Sequence, residues 1–212
     1  MAMEGTHIRF ARDLLEPLGV VDTDAYFSGA VYPDSRYRTG IPREETHGQT
    51  CPHDPFAPGL TDFERGWATH IFYDRSSSAL HEAILDAELP EEWKADAWKW
   101  AVHTARKGVE ELRTCQVLGD DIRVLQKLSY VCGPRGEDEL VMRQYHERLR
   151  EAYLHPYSIA HAAETLQMWG TDGERVARFT EVANWILERP NLTSRIQGMY
   201  DTVLQNVCPF NR

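Results

Sequence analysis

Five side chains have the types and spacing to hold a divalent metal ion: His7, Asp34, His47, His70 and Asp74. His70 and Asp74 stand four apart in a run that reads as helix, so both project from one face and can share an ion. His7 opens a first helical stretch. Asp34 and His47 come from a region dense in proline and glycine. Imidazole and carboxylate together suit zinc, manganese or iron(II), and several carboxylates permit a second ion. The expected cofactor is therefore a divalent metal, zinc first, with manganese or iron as alternatives, in one or two copies. Singly, each residue has an ordinary explanation. A His four residues before an Asp recurs by chance, and Pro33-Asp34 is normal turn chemistry. His47 could sit on a loop surface, and His7 could be solvated. Their combination, in order, carries the reading.

Arg9, Arg36 and Arg43 neighbour these residues in sequence. A guanidinium beside a metal suits a phosphate or carboxylate. Arg36 is assigned to substrate charge, and a surface ion pair is its plain alternative. Tyr32, Tyr37 and Trp67 could wall a pocket, although Trp67 is expected in the core.

The elements that must position these groups are helical. A first helix is predicted from His7 to Glu16, with Ile8, Ala11, Leu14 and Leu15 as its apolar stripe and Pro17 just beyond it. Asp22-Thr23-Asp24 caps a short helix that Gly29 should end. Residues 30–60 hold Pro33, Gly40, Pro42, Gly48, Pro52, Pro55, Pro58 and Gly59. That density of breakers predicts a long ordered loop. Thr61 and Glu64 form a capping box for a helix toward Asp74, and Ser76-Ser77-Ser78 could restart one reaching Leu85. Pro90 reads as the first-turn proline of a long helix to Leu112. Further helices are predicted at 119–130, 137–154, 157–169, 172–188 and 193–206. Strand signals are nearly absent. The fold class is all-α, a compact multi-helix bundle and a single domain over 1–212.

Composition narrows the function. The chain has 212 residues, is 42% hydrophobic and 26% charged, and carries a net charge of −10. It is long enough to bury a core without disulfides. The negative charge disfavours phosphate-backbone binding, so no nucleic-acid partner is expected. No apolar run is long enough to span a membrane. The N-terminus lacks a secretory pattern, and Met1-Ala2 could be a cloning remnant. Cys51, Cys115, Cys132 and Cys208 contain no CxxC pair, which argues against a disulfide framework or a thiolate zinc site. A cytoplasmic chain is expected. His53-Asp54 is not the His-Asp dipeptide of an HD phosphohydrolase, because Pro52 and Pro55 place it in a loop.

Four segments together resemble a known family. They are Gly5-Thr6-His7-Ile8-Arg9-Phe10-Ala11, then Gly29-Ala30-Val31-Tyr32-Pro33-Asp34, then Thr46-His47, then His70-Ile71-Phe72-Tyr73-Asp74. The set is similar to the zinc-dependent phospholipase C superfamily, which includes related single-strand nucleases. The resemblance covers roughly the first third of the chain. It implies a phospholipase C-like helical bundle and a metal cluster that hydrolyses phosphoester bonds. The family closes its site with a later His-x-x-x-Glu, a motif not evident here. His81, His103, Glu110 and Glu111 are the candidates to complete the site, with Glu110 taken as the additional ligand. A solvated acidic helix face is its alternative.

The expected function is a metal-dependent hydrolase acting on a phosphoester of a small soluble substrate, with Asp34, Asp74 and Arg36 as catalytic residues. The rivals are a non-hydrolytic iron or manganese enzyme on the same His/Asp cluster, and a non-catalytic helical module with a buried polar network.

Overall fold

The structure is a computed structural model that describes residues 3–85, 87–128 and 133–207. All regular elements among the described residues are helical, with no strand. Cys132, Cys208, Met1-Ala2 and the end of the segment predicted at 119–130 lie outside the described residues. No described helix is long and apolar enough to cross a membrane.

The chain divides into two compact units, one of Met1–Arg75 with Leu118–His155, the other of Ser76–Val117 with Pro156–Arg212. The first unit holds α1 (Glu4–Leu18), α2 (Thr23–Val31), α3 (Arg36–Thr39), α4 (Arg43–His47), the first half of α5 (Asp62–Leu85) and α7 (Glu139–Ala152). The second holds the end of α5, most of α6 (Asp96–Leu118), α8 (Ile159–Met168), α9 (Gly173–Leu187) and α10 (Pro190–Val207).

Helix α1 buries Ile8, Ala11, Leu14 and Leu18. It runs through Pro17 and ends at Gly19, whose φ of 62° lies in the left-handed region. The Val20 and Gly19 amides then close on the Leu15 and Glu16 carbonyls, so glycine rather than proline sets the boundary. Asp22 caps α2 by accepting from the Ala25 amide at 3.0 Å. The Thr61 and Glu64 side chains make the predicted capping box of α5.

Gly29 does not end α2, which continues to Val31. The glycine lets two helices touch. A Cβ on Gly29 would meet the Phe63 carbonyl oxygen at 2.0 Å, and one on Gly66 would meet the Tyr26 carbonyl oxygen at 1.9 Å. The α2 and α5 backbones therefore pack directly against each other. Asp62 accepts from the Val21 and Asp22 amides and Tyr26 bonds Thr69, which fixes the pair along its length.

The expected loop over 30–60 is partly helical. A 3-10 turn at Tyr32–Ser35 leads into α3, and α4 follows after Gly40 and Pro42. Pro33 and Pro42 stand at helix starts, where proline's missing N–H is harmless. The serine run does not interrupt α5. The helix predicted from Pro90 is split into a 3-10 turn at Glu91–Lys94 and α6, because Ala95 is extended.

Candidate metal centre

The first unit brings His7, Asp34, His47, His70 and Asp74 together. They form two overlapping ligand groups, His7/His70/Asp74 and Asp34/His47/His70, whose ligating atoms lie within 4.8 Å of one another in each group. His7 comes from α1, Asp34 from the 3-10 turn after α2, His47 from the last residue of α4, and His70 with Asp74 from one face of α5. Nearly all of this surface is buried; Asp74 is the most accessible, with its side chain 14% exposed.

Backbone and hydroxyl groups set the direction of two imidazoles. His70 Nδ1 lies 2.8 Å from the Ala30 carbonyl oxygen, so Nδ1 carries the proton and donates. The Nε2 lone pair then faces Asp34 and Asp74, each at 3.9 Å. His47 Nδ1 lies 2.8 Å from Thr46 Oγ1. The Thr46 hydroxyl donates to the Arg43 carbonyl, leaving it to accept from His47. His47 Nε2 therefore also presents a lone pair, 3.8 Å from Asp74. His7 Nε2 is 3.6 Å from the other oxygen of Asp74. Trp67 is core as expected, and its indole donates to the Thr46 carbonyl at 2.7 Å, which ties α4 to α5 and seats His47.

These separations are too long for hydrogen bonds. They are close to the spacing of two atoms that share one ion, about 3.4 Å for tetrahedral bonds of ~2.1 Å. His47 Nε2 and His70 Nε2 are buried nitrogens with no hydrogen-bond partner. Such atoms normally have one, and two lone pairs converging on carboxylates fit a cation. Burial, and then the neighbouring His70, pushes His47 down to about 3, so its ring is neutral. Burial opposes ionisation of Asp34, but positive charge at His70 holds its carboxyl below the usual range despite Asp74, a charge that a bound cation would supply with the imidazole neutral. Neutral imidazoles and ionised carboxylates are the forms that bind metal.

Arg36 and Tyr37 follow Asp34 directly. The Arg36 guanidinium lies over the Tyr37 ring, 4.0 Å from its centroid, and donates to its hydroxyl. Arg36 Nε is buried without a hydrogen-bond partner. Burial, and then the Asp34 carboxylate, pushes the Tyr37 hydroxyl up to about 12. Tyr37 is 42% exposed, whereas Tyr32 is fully buried and donates to Glu137.

Glu110 belongs to the second unit and is in neither ligand group. It pairs there with His81, Nε2 to Oε2 at 3.2 Å. Glu111 accepts from Cys115, and His103 accepts from Arg106. His53-Asp54 lies outside any helix, with the Asp54 carboxylate accepting from the Phe56 amide. The sequence reading missed the orienting roles of Thr46 and of the Ala30 carbonyl. The Thr-His dipeptide was a usable signal for the first. A backbone oxygen leaves none.

Comparison with known family models, curated proteins and solved structures finds no significant match to this chain.

Proposed function

We propose that this cluster is the divalent-metal centre of a hydrolase that cleaves a phosphoester of a small soluble substrate. The observation that carries the reading is the pair of buried, unpartnered Nε2 atoms of His47 and His70 directed at Asp34 and Asp74. The first-third resemblance to the zinc-dependent phospholipase C superfamily supports the phosphoester chemistry.

His7, His47, His70, Asp34 and Asp74 would hold the ion or ions. A divalent cation there would acidify a water and offset the charge on a phosphoryl oxygen. Asp74 directs Oδ1 toward His7 and Oδ2 toward His47 and His70, so it addresses both ligand groups at once. Asp34 is ionised and can accept a proton from an attacking water through whichever oxygen is not a ligand. Arg36, one residue past the Asp34-Ser35 turn, would take the substrate's anionic oxygens. Tyr37 holds that guanidinium over its ring and limits its rotation.

The deciding experiment is elemental analysis of the purified protein, repeated on His70→Ala and Asp34→Ala, with a parallel screen of chromogenic phosphomonoesters and phosphodiesters. Zinc or manganese in the parent, its loss in both variants and metal-dependent turnover are expected. Metal-free protein with no thermal stabilisation by either ion would refute the reading. Iron with oxygen consumption and no hydrolysis would replace it with a redox function.

A further inference from the structure

The backbone that delivers Asp34 is held by side chains from three places in the first unit. The last carbonyls of a helix have no partner within it. At the end of α2 the Ala30 carbonyl accepts from His70 Nδ1, and the Val31 carbonyl accepts from the Tyr145 hydroxyl at 2.9 Å. Tyr32, the next residue, donates its own hydroxyl to Glu137. Asp34 follows two residues later, inside the 3-10 turn.

Two of these ties reach back from far along the chain, across 114 residues for Tyr145 and 105 for Glu137. Tyr145 lies on α7. Glu137 directly precedes Asp138, which caps that helix by accepting from the Val141 amide at 3.1 Å. Glu137 also accepts from the Arg135 amide at 3.0 Å, so its carboxylate is fixed before it meets Tyr32. Helix α7 and the residues leading into it therefore grip one turn at two points. Tyr145, Val31 and Tyr32 are fully buried and Asp34 is 2% exposed. A hydroxyl-to-carbonyl tie at that depth matters more than one at the surface, because water does not take its place when it is lost. Burial, and then the carboxylates of Glu4 and Asp34, push the Tyr145 hydroxyl well above 10, so it keeps its proton and remains a donor.

We infer that Tyr145 is a positioning residue of the metal centre, holding the turn at residues 31–34 so that Asp34 meets His70 at the separation a shared cation needs. The inference rests on the metal-centre reading proposed above. It extends that centre to α7, beyond the first third of the chain that carries the family resemblance.

The test uses the full chain, with zinc affinity measured by chelator competition and ligand geometry read from the visible spectrum of the cobalt(II)-loaded protein. Tyr145→Phe keeps the ring and deletes the tie. Zinc affinity should fall about tenfold, the low end for partners behind a metal ligand, and the cobalt band should shift. Thr193→Val is the control: the Thr193 hydroxyl donates to the Ile186 carbonyl at 2.7 Å at the end of α9, the same kind of tie in the second unit. It should lower Tm, keep zinc affinity within about twofold and leave the spectrum as in the parent. If Tyr145 acts through Asp34, most of its loss should vanish in an Asp34→Asn background. Parental affinity and spectrum in Tyr145→Phe, an equal loss in Thr193→Val, or an undiminished loss in the Asp34→Asn background would overturn the inference. A parent that takes up neither zinc nor cobalt would remove the centre itself, a different failure from a metal-binding parent indifferent to Tyr145.

Discussion

The imidazoles of His7 and His70 stack face to face, with centroids 3.6 Å apart and planes 13° from parallel. Their Nε2 atoms address opposite oxygens of one carboxylate, His7 toward Asp74 Oδ1 and His70 toward Oδ2. Tyr73 meets the outer His7 ring edge-on at 5.7 Å, so the stack is walled on that side. Asp74 also faces His47, so three imidazoles lie within 3.9 Å of its carboxylate, while Asp34 lies 3.9 Å from His70. Removing charge at Asp74 should therefore cost more metal affinity than the same change at Asp34. Asp74→Asn is expected to weaken zinc binding by about 100-fold or more, beyond the 10- to 100-fold typical of an outer hydrogen-bond partner. Competition titration with a chromogenic chelator measures both variants, and a larger loss in Asp34→Asn would contradict the arrangement.

Thr46 touches no proposed ion yet fixes a ligand. Its hydroxyl accepts from His47 Nδ1, which leaves Nε2 as the lone-pair atom. Thr46→Val keeps the shape and deletes the acceptor. Zinc affinity should fall about 10- to 100-fold, as for other partners behind a metal ligand. Thr46→Ser restores the hydroxyl and should recover most of it. If valine and serine variants bind zinc alike, the orienting role is wrong.

Gly66 shows how packing reaches the same centre. A Cβ there would sit 1.9 Å from the Tyr26 carbonyl oxygen, a backbone atom that cannot swing away. Gly66→Ala must push α2 and α5 apart, and overpacking of this kind costs about 1–3 kcal/mol or more. The Ala30 carbonyl that orients His70 lies on α2. Separation of the helices should therefore lower metal affinity as well as Tm, although no ligand has changed. A destabilised variant with unchanged zinc affinity would uncouple the crossing from the site.

The His/Asp cluster was legible because its chemistry is written in side-chain type. Histidine and aspartate at helical spacing, with further copies in order upstream, point to a cation wherever they converge. Most helix positions were legible from apolar periodicity and from caps such as Asp22 and Thr61. Boundaries were not, where tertiary contacts or local backbone override local signals. Gly29 read as a helix end, yet it and Gly66 permit a backbone contact that no local pattern encodes. Pro17 read as a stop but is tolerated in the last turn of α1. The Ala30 carbonyl was invisible, since every residue has one.

His146 supplies a pH dependence separate from the candidate metal centre. It is 2% exposed, and its Nε2 has no hydrogen-bond partner. Burial, and then the charge of Arg150, pushes it down to about 4 from an ordinary 6.5. The unfolded chain thus takes up a proton below pH ~6.5 that the folded chain refuses until about 4, so the unfolded state binds more protons and stability rises with pH across that window. The full effect is present above the unfolded value and is lost as pH falls through the window. At about 1.4 kcal/mol per unit it is on the order of 3 kcal/mol. His146→Met keeps an apolar body of similar size and removes the titration. Carboxylates titrate in both proteins, so the difference between them isolates the histidine. Parent Tm should fall more steeply than variant Tm between pH 6.5 and 4. Parallel melting curves across that range would mean that His146 is protonated in the folded chain.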